Sequence, residues 1–413
     1  MTPRDVLGVS AMRAAYVSSS GVARMKVTRR KFFQLATGFS GLTIVPAGVF
    51  GKSAPSNRIT LAMIGIGGMG TANMDAFLGL DDVVVRAVCD VDGLKRSVAK
   101  ARVDAHYGHR DCVSIKDYRE VCARPDIDAV VVATPDHAHA VIGLAAAESG
   151  KDIYGETPFT HTRDEGLALL EAVRGNRRVW QTGCWQRTQS SFRRAVAAVR
   201  GGRLGKVTRV EVGLPGGGRG PEQRMDADVR VPAHLDWRAW LGPSAYRPFP
   251  GRCDFHWRWV SLWGGGALGN WIGHYGDIAL WGVGKQTSDP VFVTGRGDYP
   301  KNGIYDTATA FSFRCVYSDG LEIEVADGGR LAKGVGVRWI GRNGTWIWVT
   351  QGALEASDSS LLADINDRAV GPVEGLHRNF IDCVKTRRTT LAPPESAHHA
   401  ACLGHLGEAA MRG

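Results

Sequence analysis

The stretch 58–90 narrows the folds open to this chain more than any other. Residues 58–64 form a short apolar strand that runs straight into Gly65-Ile66-Gly67-Gly68-Met69-Gly70, and a helical pattern follows to Leu80. In such a strand-to-helix turn Gly65 permits the tight bend, Gly67 lets the backbone approach a pyrophosphate, and Gly70 lets the helix pack closely on the strand. Gly68 and Met69 complete the loop at the helix start, where free N–H groups face an anion. A second strand, Val83–Cys89, ends at Asp90, 20 residues beyond Gly70. A carboxylate there suits the 2′-hydroxyl of an adenosine ribose and repels a 2′-phosphate, so the expected cofactor is NAD, tightly bound, with NADP disfavoured.

Helices are then expected at 92–104, 116–123, 136–149 and 162–174, with strands at 127–133, 151–155 and 178–182. This alternation gives a parallel sheet covered by helices on both faces, its ligand lying beyond the carboxyl ends of the strands. Two strand ends become candidate site segments: Ala133-Thr134-Pro135-Asp136-His137-Ala138-His139 and Tyr154-Gly155-Glu156-Thr157-Pro158. The second half changes character. All 12 tryptophans lie at or after residue 180, and 290–350 reads as strands and turns before helices at 374–386 and 395–411. Phe311-Ser312-Phe313-Arg314-Cys315 alternates like a strand with one solvated face. The expected fold class is α/β: an N-terminal Rossmann doubly wound parallel sheet over 55–182, then a C-terminal α+β domain over 183–413 with an open, mainly antiparallel sheet and terminal helices.

The net charge of +10 raises the question of nucleic acid, but residues 1–54 hold eight basic side chains against one acid, which leaves only +3 to residues 55–413. A globular part so nearly balanced has little electrostatic hold on a phosphate backbone, and no nucleic-acid partner is expected. The N-terminal charge is instead an address. Arg29-Arg30-Lys31-Phe32-Phe33 precedes an uncharged run at 35–50 that is diluted by glycine and too short to span a bilayer comfortably. The pattern resembles a bacterial twin-arginine (Tat) signal, which implies the Tat export machinery as a partner and a periplasmic or otherwise exported protein without stable membrane insertion. A basic tail on a cytoplasmic protein is the competing reading, and Met25 competes with Met1 as the start. Eight cysteines include no C-x-x-C pair and no His/Cys cluster has ligand spacing, so reduced buried thiols and no metal are expected. His137, His398 and His399 read as helix surface.

Several further segments, Gly150-Lys151-Asp152-Ile153-Tyr154-Gly155-Glu156-Thr157-Pro158, Gln181-Thr182-Gly183-x-x-Gln186-Arg187, Trp237-x-x-Trp240-Leu241-Gly242-Pro243 and Gly264-Gly265-Gly266-x-x-x-Asn270-x-x-x-His274-x-x-Asp277, join the glycine turn and Ala133-Thr134-Pro135-x-x-x-His139. Together they resemble the Gfo/Idh/MocA oxidoreductases, the family of glucose-fructose oxidoreductase and inositol dehydrogenase. The resemblance implies a nicotinamide cofactor held by Thr134, Pro135, His139, Glu156 and Thr157 besides the glycine loop and Asp90, a sugar or cyclic polyol as substrate, and a homo-oligomer. Gln186, Arg187 and Trp271 are candidates for substrate contact, as is Arg258 in Trp257-Arg258-Trp259, for which a packed structural arginine is the competing reading.

Thr157 stands where the family usually has lysine, and Asn270 where many members have aspartate. Oxidising an alcohol requires a place for the hydroxyl proton, which neither a threonine hydroxyl nor a neutral amide can hold at neutral pH. His274 is then the candidate acid/base, with Asp277 three residues on to orient or charge-stabilise it and Asn270 to position a hydroxyl. A packed core histidine is the competing reading of His274. Three functions follow: an NAD(H)-dependent oxidoreductase of a sugar, glycoside or cyclic polyol; a redox-cycling NAD-dependent glycosidase of the same fold; and a cofactor-loaded sugar-binding protein that lost turnover with its lysine.

Overall fold

Apolar residues that alternate only weakly make strands buried on both faces, and β1 (Ile59–Ile64) is one, with its last four residues buried. The computed structural model describes residues 57–216, 229–251, 256–366 and 373–413, all within the unit Gly48–Gly413. The expected export segment at 1–54 and Cys253 lie outside these described residues. Beside β1 stand β2 (Val83–Cys89), β3 (Val113–Ile115), β4 (Ala129–Val132), β5 (Asp152–Gly155) and β6 (Trp180–Thr182). They form one parallel sheet in the order β3-β2-β1-β4-β5-β6. The intervening helices are α1 (Gly68–Leu78), α2 (Gly93–Tyr107), α3 (Tyr118–Ala123), α4 (Asp136–Glu148) and α5 (Arg163–Gly175). This is the expected Rossmann order, and its direction reverses between β1 and β4, where a crevice opens at the strand ends. Three-residue β3 was not anticipated from the sequence, being too short to show a period. Local chemistry sets the helix starts. Asp92 accepts from the Leu94 and Lys95 N–H groups, and Thr162 with Glu165 forms a capping box on α5.

The second domain begins with α6 (Ser190–Arg200) and β7 (Val207–Leu214), followed by α7 (Trp237–Leu241) and the long α8 (Gly266–Val283). Six strands follow: β8 (Phe292–Asp298), β9 (Ala310–Val316), β10 (Glu322–Asp327), β11 (Gly336–Gly341), β12 (Trp346–Thr350) and β13 (Ala353–Ala356). The sheet order is β13-β12-β11-β7-β10-β9-β8, antiparallel except where β7 meets β10. Strand β7, absent from the sequence reading, is thus the central strand. On one face Val210, Val212, Phe311, Phe313, Ile323 and Val325 pack against α6 and α8. On the other, Arg209, Arg314, Glu322 and Glu324 pair in solvent.

The last two helices do not stay with the domain that precedes them in sequence. On α9 (Leu376–Thr386), Leu376, Phe380, Ile381 and Val384 join the core formed by β1, α1 and β2. On α10 (Pro394–Arg412), Ala397 and Ala401 pack in the Rossmann core while Ala400 and Leu403 pack in the second. The helix is a shared wall between the two sheets. Both helices had been grouped with the 183–413 domain. The apolar face of α9 packs on the first sheet, and the two apolar faces of α10 pack one on each core. No described helix is long and apolar enough to cross a membrane.

Candidate functional site

The strand ends of the first sheet and the start of α8 enclose a cleft of about 1720 Å³. Its floor is the glycine turn. Gly65 adopts φ +87°, and its N–H donates to Cys89 O at 2.8 Å, which ties the turn to the end of β2. A Cβ on Gly70 would stand 1.9 Å from Gly65 O, so close packing of helix on strand depends on that glycine, as the spacing predicts. Gly67 and Gly68 are different: a Cβ on either would meet no protein atom within 4 Å. No protein atom therefore demands glycine at either position, and both line the cleft at the N-terminus of α1.

Asp90 lines the same cleft, its carboxylate accepting from the Ile66 N–H at 2.7 Å and the Asp92 N–H at 2.9 Å. Burial raises its pKa against these two donors. Thr134 and Pro135 also line it, and Thr134 Oγ1 is buried with no hydrogen-bond partner among the described residues. A bare glycine cradle at a helix start, an acid at the end of β2 and an unsatisfied hydroxyl between them fit a dinucleotide. Glu156 reaches the cleft wall, but its carboxylate turns back to accept from Asn73 Nδ2 at 2.8 Å, and burial raises its pKa.

His139, expected at the cofactor, is buried behind the wall instead. Its ring bridges Pro158 O at 2.7 Å and Thr134 O at 2.9 Å, pinning the two strand-end segments to each other. His137 is likewise no surface residue. It is 2% exposed and reaches Trp240 O at 3.0 Å, and burial lowers its pKa to about 4. His398 is 1% exposed beside Cys402, and His399 pairs with Asp289 at 2.7 Å, so neither is free helix surface. All three lie on helix faces that a tertiary neighbour covers, which single-helix patterning does not reveal.

The reacting end is built on α8. Asn270 and His274, one turn apart, face the cleft with Trp271. His274 Nδ1 lies 3.0 Å from Gln186 Oε1, and Nε2 lies 3.0 Å from Thr157 Oγ1. With Gln186 presenting its amide oxygen, which only accepts, the tautomer assigned carries the proton on Nδ1 and turns the Nε2 lone pair to Thr157 and the cleft. Burial lowers the His274 pKa to about 4, a pull that the nearby Asp277 charge only partly offsets. Of the two roles expected for Asp277, its charge does favour the protonated imidazole, but it makes no hydrogen bond that orients the ring. Its carboxylate is gripped by Arg187, with Nε to Oδ2 at 2.6 Å and Nη2 to Oδ1 at 2.7 Å, and the Cys184 thiol donates to it at 3.2 Å. A bidentate guanidinium is the stronger partner for a buried carboxylate. Arg187 and Gln186, expected at the substrate, are buried behind His274 and do not line the cleft; Arg187 also stacks on Trp281.

Arg258 does line the cleft, lying over Trp257 and donating through Nε to Asn270 Oδ1 at 3.2 Å. The sequence reading passed over its neighbour. Asp136, first residue of α4, is 4% exposed in the cleft wall, takes a long contact of 3.4 Å from Gly265 N, and is pushed up by burial to about 7 although Arg258 opposes the shift. Its place directly after Thr134-Pro135 at a strand end was the available signal. Five tryptophans, 185, 240, 257, 259 and 271, complete the lining, an apolar platform suited to the C–H faces of a sugar ring. Among the described residues no group of three or more His, Cys, Asp or Glu is placed to hold a metal ion.

Fold and site together define a two-domain dinucleotide-binding oxidoreductase architecture. Residues 59–184 match the oxidoreductase family, NAD-binding Rossmann fold, and residues 221–413 match the oxidoreductase family, C-terminal alpha/beta domain; the chain belongs to the Gfo/Idh/MocA family, and its first domain is an NAD-binding domain. It is 31% identical over 173 residues to the levoglucosan dehydrogenase of Pseudarthrobacter phenanthrenivorans, covering 42% of this chain and 37% of that one. It is also 31% identical over 129 residues to a glycosyl hydrolase family 109 protein of Shewanella sp., covering 30% and 28%. The matched stretch thus spans well under half the length of these relatives. Among solved structures, the WlbA dehydrogenase of Bordetella pertussis in complex with NADH and UDP-GlcNAcA superposes with a TM-score of 0.63 at 17% identity, covering 86% of this chain and 97% of that one.

Proposed function

We propose that this chain is an NAD-dependent oxidoreductase acting on a CH–OH group of a sugar, glycoside or cyclic polyol. The observation that carries the reading is the contact of Thr157 with His274 Nε2 at the inner end of a cleft that starts at the glycine cradle and ends on tryptophans. The bound dinucleotide supplies a hydride acceptor. The chain must dispose of the hydroxyl proton, and Thr157 relays it: the substrate oxygen donates to Thr157 Oγ1 while that hydroxyl passes its own proton to His274 Nε2. Gln186 keeps the lone pair on Nε2 by holding the Nδ1 proton. Asn270, fixed by Arg258, orients a neighbouring hydroxyl.

The test is single-turnover reduction of the bound dinucleotide across a sugar and polyol panel, with His274→Ala and Thr157→Val beside the parent. Reduction by one panel member that falls by roughly 10²–10⁴ in His274→Ala supports the relay. Reduction unchanged in His274→Ala removes it, and binding of sugars without any reduction leaves a receptor in place of an enzyme. The similarity to glycosyl hydrolase family 109 proteins favours one second reading, in which oxidation is transient and a glycosidic bond is cleaved. Release of an aglycone without net reduction selects it.

Export belongs to the same proposal. A twin-arginine-exported enzyme leaves the nucleotide pool behind and carries its NAD out already bound, so the cofactor copurifies. Arg29→Lys with Arg30→Lys strands the protein in the cytoplasm, and an undiminished periplasmic yield refutes the targeting. Association into homo-oligomers completes the proposal, and sedimentation reads it directly.

A further inference from the structure

The cleft has a wall that comes from the wrong domain. At the end where Asp90 marks the ribose of the adenosine half, the Rossmann side contributes Asp92, Lys95, Lys116, Asp117 and Arg119, and the second domain adds Leu235, Asp236, Arg238 and Ala239 to the lining. These last residues follow β7 in the second domain, yet their backbone is stitched onto the loop after β2. Gly93 N–H donates to His234 O at 2.7 Å, Asp236 N–H donates to Val91 O at 3.2 Å, and Asp92 and Leu235 form an isolated antiparallel bridge between them. Lys116, just beyond β3, adds an ion pair to Asp236 at 2.8 Å, and Asp236 also caps α7 through Ala239 N–H at 2.9 Å. Behind the bridge, Leu235 packs on a cluster that includes Trp237, Trp257 and Trp263. At the inner end of the segment Trp240 O meets the buried His137 of α4 at 3.0 Å.

We propose that residues 234–240 clamp the adenosine end of the dinucleotide site, so that bound NAD leaves only when this segment lifts from the loop after β2. The attachments are unequal, which makes the clamp strong enough to retain cofactor and able to open. The ion pair is largely solvated, with side chains 55% and 34% exposed, and exposed pairs hold weakly. The two backbone bonds and the tryptophan-backed Leu235 hold the rest. Because the segment touches the adenosine half, it governs cofactor exchange and not sugar entry, and the inference stands on the NAD domain whatever the substrate proves to be.

The bridge also supplies the test. Both backbone bonds flank Asp92 and Leu235 without joining them, which is the pattern of a non-hydrogen-bonded pair with Cα atoms roughly 4.5 Å apart, inside the ~4.4–6.8 Å window of a disulfide. The variant Asp92→Cys with Leu235→Cys is loaded with NADH, and its release into excess NAD is followed by fluorescence, oxidised and reduced. Release at least tenfold slower in the oxidised form, restored by dithiothreitol, is the expected result. Comparison of one variant in two redox states cancels the loss of the Asp92 cap. Equal rates with the disulfide verified by mass overturn the proposal, as does slowed sugar capture with unchanged NADH release. Asp236→Ala, which leaves the cysteine chemistry aside, is expected to release NADH several-fold faster than the parent, and an unchanged rate there also counts against the clamp.

Discussion

At the residue scale, two groups in one cleft have been moved in opposite directions by the same cause. Burial lowers His274 to about 4 and raises Asp136 to about 7, so at neutral pH the imidazole is an uncharged acceptor. An unperturbed histidine would give an inflection near ~6.5 in the reduction rate. The expected profile instead has no such step, because His274 is already an uncharged acceptor across that range. An inflection near ~6.5 in the measured profile contradicts this account of His274. Asp277 makes a different prediction. It and Arg187 are each 3% exposed, and Asp277→Ala leaves an unpaired guanidinium in the core. A loss of about 3–5 kcal/mol in denaturant unfolding is expected, with Arg187→Met in the same background recovering part of it. An indifferent Asp277→Ala contradicts the structural role given to the pair.

At the element scale, the glycine turn separates what the fold needs from what the ligand needs. Gly70→Ala forces a Cβ to within 1.9 Å of Gly65 O, so α1 must leave β1, and both melting temperature and NADH affinity fall. Gly67 has φ −78° with open space where a Cβ would go, so Gly67→Ala folds as the parent does. Its methyl stands where the pyrophosphate approaches the backbone, and NADH binding weakens by at least tenfold in a fluorescence titration. A Gly67→Ala protein that binds NADH normally would show that the cradle is not the phosphate site. The sequence displayed this element almost in full, because the demand for glycine arises within six consecutive residues. It did not display β7, the central strand of the second sheet, whose partners β10 and β11 lie more than 100 residues further on.

At the scale of the whole molecule, the two sheets are joined by α10, and five histidines share one response to desolvation. His137, His274, His377, His398 and His405 are each lowered by burial to about 4. Each binds its proton more readily when unfolded, near ~6.5, so its contribution to stability is complete above that pH and is lost as pH falls toward 4. Asp136, Asp90 and Glu156 work the other way, each raised by burial and so losing stability as pH rises, but His139 and His161 are lowered as well, so among the described residues seven histidines stand against three carboxyls. Asp82, buried yet held to about 2 by Arg378 and Lys385, and Asp289, held there chiefly by His399, add stability that persists until pH falls below ~3.8. The melting temperature is expected to decline steadily from pH ~6.5 to ~4, and a melting temperature that is level or higher at the acid end refutes this account.

What the sequence determined by itself is whatever depends on neighbours in the chain: the glycine turn, Asp90 at the end of β2, the α/β alternation, and the spacing that sets Asn270 and His274 on one face of α8. What only the tertiary structure decided is the pairing of groups far apart in sequence. His274 took Gln186 and Thr157 as partners, and Asp277, three residues away, was drawn to Arg187. Arg187 and Gln186 went behind the site when substrate contact was expected of them, His139 became a brace, α9 packed on the first sheet, and α10 came to lie between the two. Helical spacing fixes which side chains share a face. The choice among competing partners on that face belongs to the desolvated interior, where a buried charge takes the nearest full complement of hydrogen bonds that packing offers.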